Sequence, residues 1–252
     1  MMGTFVAVEA WAATAEVAAA AISLAYDVIE NVAARMHPTA DGSDLAVIVA
    51  ARPKEPVVVH PMTWEVLNFC QHLNRLSAGV FDPCQPTGAA LSGLLLLPEG
   101  RVAKAHPLQI DLGGVAKGYA VDCAIDALKR AGCAGGLVNA GGDLRVFGSR
   151  AHSIEVRLGR ARRAREFNLS ETACAVSDPS ETARPGEHRG YYSRVDACAA
   201  ARVAQRGAVA VLAPTAMLAD ALTKCLLLAA PAPTAALLRS FGATNLSEYL
   251  SP

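Results

Sequence analysis

The stretch Ile110–Gly118, IDLGGVAKG, ends an apolar run with an aspartate and follows it with two glycines, a lysine and a third glycine. Leu108 to Leu112 reads as a strand, Gly113-Gly114 as a turn, and Val115 to Arg130 as a helix with Val121, Ala124, Ile125 and Leu128 on one face. Gly132 stands where a left-handed residue ends a helix. The first turn of a helix offers unpaired N–H groups and partial positive charge. Glycines let a phosphate approach that backbone, and Lys117 adds a formal charge. Asp111 is a candidate hydrogen-bond acceptor for a ligand ring or hydroxyl, and the Gly114 carbonyl is a candidate ligand for a hard cation. The pattern is neither GxxxxGK[ST] nor GxGxxG. The plainer alternative is a strand-turn-helix joint with an exposed lysine.

Working outward, Leu137–Ala140 and Leu144–Phe147 read as strands joined by a second glycine turn that ends in Asp143. If Leu108–Leu112 pairs with Leu137–Ala140, both glycine turns lie at one sheet edge. Phe5–Ala10 reads as a strand. Ala12–Met36 reads as a long helix with Ile22, Ala25, Ile29 and Val32 on its stripe, and Trp64–Leu76 as a second helix. The segments MHPTADGSD and SAGVFDPCQPTG read as loops, and RVAKAHPLQIDL as extended chain. Ser153–Leu158 and Ala208–Ala213 read as strands, and PTAMLADALTKCLLLAA carries a helical stripe. Strands and helices mix without strict βαβ repetition. The expectation is an α+β fold, one domain over residues 1–252, with mixed or antiparallel sheets and packed helices.

Composition narrows the function classes. The 252 residues are 52% hydrophobic and 18% charged, with Lys+Arg 23 against Asp+Glu 23. A neutral chain is a poor electrostatic partner for nucleic acid. The basic run Arg157–Arg165 reads as a solvated hairpin. Seven cysteines form no CxxC pair, and six histidines form no HxH or HxxxH pair, which argues against zinc. No apolar run of about 18 residues is expected to span a membrane. The N-terminus MMGTFVAVEAW has no basic segment, so the chain as it stands reads as cytoplasmic, or periplasmic if a leader was removed.

The run from Ile110 to Gly148 resembles the core signature of the ApbE family of FAD:protein FMN transferases. Met2–Thr4 resembles its opening MGT, Ser77–Pro83 its DGAFDP, and Ala213–Leu222 its late metal-binding helix. The resemblance implies Mg²⁺-dependent cleavage of FAD, transfer of FMN to a Ser or Thr of an acceptor flavoprotein, and release of AMP. Met2, Val80, Phe81, Asp82, Asp111 and Lys117 match FAD-contacting positions. Gly114 and Asp220 match Mg²⁺ ligands, with Thr223 as the nearest hydroxyl for a third.

The sequence also departs from the family pattern. The HxxDPxTG motif is represented by SRVDACAA, which keeps Asp196 and has Ser193 for the histidine. TSGDY is represented by VSDPS around Ser177. The family's threonine four residues after the metal aspartate is Lys224 here, with Thr223 one residue earlier, about 100° away around a helix. The Lys224 ammonium is therefore expected to compete for the metal's space. Asp196 and His188 are the candidate acid-base groups, and Tyr191 and Tyr192 candidates to stack on a flavin. Two alternatives stay open: an FAD-binding carrier or regulator without transfer activity, and an FAD pyrophosphatase.

Overall fold

In the computed structural model, residues 3–84, 90–158, 163–179, 207–229 and 231–250 are described. Val6–Trp11 forms β1. Helix α1 (Ala15–Arg35) follows, capped by the Thr14 hydroxyl, which accepts from the Val17 amide. Its buried stripe is Ala21, Ala25, Ile29 and Val32; Ile22 is only half-buried, one position off the expected stripe. By length and composition α1 is apolar enough to cross a membrane, contrary to the expectation from the sequence. Its buried stripe belongs to the protein core.

A helix unexpected from the sequence, α2 (Asp44–Ala50), arises because the Ser43 hydroxyl caps it. Asp44 then accepts from the His60 amide at 3.0 Å and the Thr63 hydroxyl at 2.6 Å, which ties α2 to the next helix, α3 (Pro61–Leu76). Pro61 at the first turn starts α3 three residues before the expected Trp64. Three short strands, β2 (Val57–Val58), β3 (Leu94–Leu97) and β4 (Arg101–Lys104), form a small antiparallel sheet in the order β2-β4-β3.

Helix α4 (Ala116–Arg130) ends as expected: Gly132 has φ +85°, the Cys133 amide donates to the Leu128 carbonyl and the Gly132 amide to that of Lys129. Strands β5 (Gly135–Ala140) and β6 (Asp143–Gly148) follow, then the antiparallel pair β7 (His152–Leu158) and β8 (Arg163–Leu169), whose paired ends hold Arg157, Arg163 and Arg165 of the basic run, and β9 (Thr172–Ser177). After residue 207 come β10 (Val209–Ala213), α5 (Ala216–Leu228), α6 (Pro231–Ser240), β11 (Thr244–Asn245) and α7 (Ser247–Leu250).

The main sheet is antiparallel in the order β1-β5-β6-β9-β10-β11. The expected pairing of Leu108–Leu112 with Leu137–Ala140 does not form. Both edges of β5 are taken, by β1 and β6, so the earlier segment has no edge to join. Among the described residues Ile110 bridges to Cys84, and the Asp111 amide donates to the Pro83 carbonyl at 2.7 Å. That contact sets the SAGVFDP segment beside IDLGG.

The sheet is covered on both faces. Leu144, Val146, Cys174 and Ala210 pack with Val156 and Leu169 of the hairpin. Phe147, Ala173, Ala175 and Val211 belong to the larger core that includes α1, α4 and α5. Strand alternation then assigns the polar residues. Asp143 and Arg145 share the helix-facing side of β6 with Phe147, and Ser177 shares that side of β9 with Ala173 and Ala175.

Candidate active site

Among the described residues, four charged side chains meet between β6, α4 and α5. The Lys117 ammonium lies 2.7 Å from Asp143 Oδ2 and 3.4 Å from Asp220 Oδ2. The Lys224 ammonium lies 2.5 Å from Asp220 Oδ1. Asp143 and Asp220 are 2% and 0% exposed at the side chain and Lys224 6%, whereas Lys117 is 26% exposed. Among the described residues, Lys117 thus has the most exposed side chain of the four.

Local rules put them there. Asp220, Thr223 and Lys224 stand at i, i+3 and i+4 on α5 and so share a face. Lys117 lies in the first turn of α4. The two helices are held together by exchanged carboxylates. Asp122 of α4 accepts from the Ala216 and Met217 amides, both at 2.9 Å, and the Thr215 hydroxyl accepts from Leu218. The first three amides of α5 are thus all paired. In return, the Gly118 amide of α4 donates to Asp220 Oδ2 at 3.4 Å. Arg145 of β6 donates to Asp122 at 2.8 Å, completing the joint with the sheet.

The hydroxyls form a directed chain. The Thr223 hydroxyl donates to the Asp220 carbonyl at 2.6 Å, the normal back-bond of a helical threonine. Its oxygen then accepts from the Lys224 ammonium at 3.0 Å and lies 2.7 Å from Ser177 Oγ, with Ser177 donating. Ser177 Oγ accepts a second Lys224 N–H at 2.9 Å.

Burial and charge compete at each carboxyl. Burial drives Asp143 up, the Asp220 charge adds to it, and Lys117 and Lys224 offset only part, leaving it at about 6. Burial also opposes ionisation of Asp220, but Lys117 and Lys224 outweigh it and hold Asp220 below the usual carboxylate range. Burial pulls Lys117 down, yet Asp143 and Asp220 more than reverse this, so it stays protonated. At 2.7 Å the Lys117–Asp143 contact is a charge-assisted pair.

The other expected site residues divide. Asp111 accepts from the Gly113 amide at 2.7 Å, an Asx turn that shapes the loop before α4, and Gly114 is buried in that loop. Asp82 binds the Cys84 and Leu91 amides, Phe81 is fully buried, and Val80 lines a cavity of about 360 Å³ with Leu76, Cys225 and Leu237. The Phe81 side chain packs in the core. Asp220, read from the sequence as either a ligand or an exposed helix residue, is fully buried. Met2, Asp196, His188, Tyr191, Tyr192 and Ser193 lie outside the described residues. The roles of Asp122, Arg145 and Ser177 were not read from the sequence.

The fold, an antiparallel sheet with helices on one face and a hairpin on the other, is similar to that of solved structures. The flavinyl transferase ApbE of Pseudomonas stutzeri, in its apo form, is 21% identical with a TM-score of 0.75 over 97% of this chain and 88% of that one. The flavin transferase ApbE of Vibrio cholerae is 19% identical with a TM-score of 0.74 over 96% and 89%. The ApbE protein of Thermotoga maritima is 20% identical with a TM-score of 0.77 over 97% and 91%. No match was found among curated proteins. The family model of the ApbE family matches residues 2–92 and 86–246. The chain belongs to the ApbE family.

The family resemblance implies Mg²⁺ at Gly114, Asp220 and Thr223, and the donors present do not fit it. Both Asp220 carboxylate oxygens already face ammonium groups. The two acceptor positions of Thr223 Oγ1 are filled by Lys224 and Ser177, and its proton is committed to the helix carbonyl. Among the described residues, no three His, Cys, Asp or Glu side chains converge for a metal. Among the described residues, two lysines face two aspartates in this cluster.

Proposed function

We propose that this chain is an FAD:protein FMN transferase, moving FMN from FAD to a Ser or Thr of an acceptor flavoprotein with release of AMP. The observation that carries the reading is Lys117: a buried ion-pair network fixes this lysine, whose side chain is partly exposed, at the first turn of a helix. A pyrophosphate is dianionic, and a fixed ammonium offsets the charge that grows on its bridging oxygen as the P–O bond breaks. Membership of the ApbE family supports the same substrate.

The step balances simply. The acceptor hydroxyl oxygen bonds to the FMN phosphorus, the P–O bond to AMP breaks, and AMP leaves with the bridging oxygen. The hydroxyl proton goes to a general base, for which Asp196 and His188 are the candidates. Asp143 and Asp220 hold Lys117 in place and keep it charged, so its position costs no reorganisation when substrate arrives. The first-turn amide of Gly118 is already paired with Asp220, which leaves Lys117 rather than that amide to meet the phosphates.

The test is to incubate the purified chain with FAD and an acceptor peptide bearing the target threonine, and to follow FAD, FMN and AMP by chromatography. AMP appearing together with flavinylated peptide is the expected result. AMP with free FMN would make the chain a pyrophosphatase. Intact FAD that co-elutes with the protein would make it a flavin carrier, and FAD that does not bind would reject the flavin reading.

A further inference from the structure

We propose that the Lys224 ammonium is the resident cation of this site: it fills the place where a divalent metal would sit and excludes that metal. Three oxygens converge on it, Asp220 Oδ1 at 2.5 Å, Ser177 Oγ at 2.9 Å and Thr223 Oγ1 at 3.0 Å. A carboxylate and two hydroxyls are hard oxygen donors of the kind Mg²⁺ uses. Here, among the described residues, they gather around a nitrogen.

The substitution is built into the fold. Lys224 is 5% exposed, so its ammonium is not a surface group folded in by chance. The i to i+4 spacing lays its stem along α5 directly over Asp220. Ser177 reaches the nitrogen from β9, a different element, because strand alternation turns it toward the helices. Ser177 also donates to Thr223, so the hydroxyl closest in sequence to a metal-binding position is spent within the network. A divalent ion on Asp220 Oδ1 would stand beside the ammonium, and two positive charges at that range in a buried site repel strongly.

The consequence for substrate depends on the flavin reading: Lys117 would meet the diphosphate, and its binding would need no divalent ion. The exclusion itself does not depend on that reading, so it is tested with the ion alone. Mn²⁺ is titrated into the full-length protein and into Lys224→Thr, and bound ion is followed by its paramagnetic resonance. The wild-type chain is expected to show no Asp220-dependent Mn²⁺ site, and Lys224→Thr to gain one, at least about tenfold tighter. The gained site should vanish in Lys224→Thr combined with Asp220→Asn.

Mn²⁺ bound to the wild type and lost in Asp220→Asn would overturn the proposal. Absence of Mn²⁺ from a folded Lys224→Thr, with native circular dichroism, would overturn it too, since the ammonium would then occupy no cation's place. Should Lys224→Thr fail to fold, the wild type decides through FAD affinity in Mg²⁺ and in EDTA. Equal affinity supports the proposal, and a loss of about tenfold or more in EDTA overturns it. Failure of FAD to bind at all would reject the flavin reading, while the wild-type Mn²⁺ titration would still decide the exclusion.

Discussion

Asp122 and Asp220 make a reciprocal exchange: each carboxylate leaves its own helix and accepts amide hydrogens from the first turn of the other. Asp122 on α4 takes Ala216 and Met217 of α5, and Asp220 on α5 takes Gly118 of α4. A carboxylate at a helix N-terminus is favoured by the local field. Both helices receive one, and the exchange fixes their starts against each other. Lys117 and Lys224, one on each helix, are placed by the same joint.

Asp122→Ala should therefore cost about 3 kcal/mol, because it removes the cap of a buried helix end and leaves Arg145 without its partner. Urea unfolding of the variant checks the value. A loss under about 0.5 kcal/mol, the size of an ordinary surface change, would show that the joint is not held by this carboxylate.

The close approach behind that exchange depends on Gly118. A Cβ at that position would lie 2.2 Å from the Ala216 carbonyl oxygen and 2.7 Å from the Met217 nitrogen, both backbone atoms of α5. Gly118→Ala must push the helices apart, at a cost of roughly 1–3 kcal/mol or more. Thermal melting should show the drop. A variant as stable as the wild type would mean that the helices are not packed as described.

The raised Asp143 carboxyl makes a pH prediction. Its value is about 6 in the folded chain against an ordinary 3.8, from burial first and from Asp220 second. Between about pH 4 and 6 the folded chain holds a proton that the unfolded chain has released, so this group's contribution to stability falls as pH rises. The difference in melting temperature between wild type and Asp143→Asn should shrink from pH 4 to 6 and stay level above it. A difference that grows over that window would contradict the assignment.

How much of this was legible in the sequence follows from range. Local signals carried well: the Gly132 helix end, the apolar stripe of α4 and the alternation in β6 are set within a few residues of one another. Helix α2 was missed because its one clear signal, Ser43, sits in a stretch dense with turn residues. The pairing of Leu108–Leu112 failed because the edge it needed is filled by β1, about 100 residues earlier in the chain, and a strand pattern does not name its neighbour. The site was half legible. Lys117, Asp143 and Asp220 stood out as charges beside glycines or among apolar residues. Asp122 did not, since only α5, almost a hundred residues later, gives it a purpose. Lys224 was visible as a departure, and what the sequence could not show was that Ser177 and Thr223 close around it.

The measurement that tests the central claim most directly is a calorimetric titration of FAD and of riboflavin into the wild type and Lys117→Ala. If Lys117 meets the phosphates, FAD affinity should fall by about tenfold to a hundredfold, the worth of a hydrogen bond to a charged group, while riboflavin affinity stays unchanged. Equal losses for both ligands, or no loss for FAD, would contradict the account.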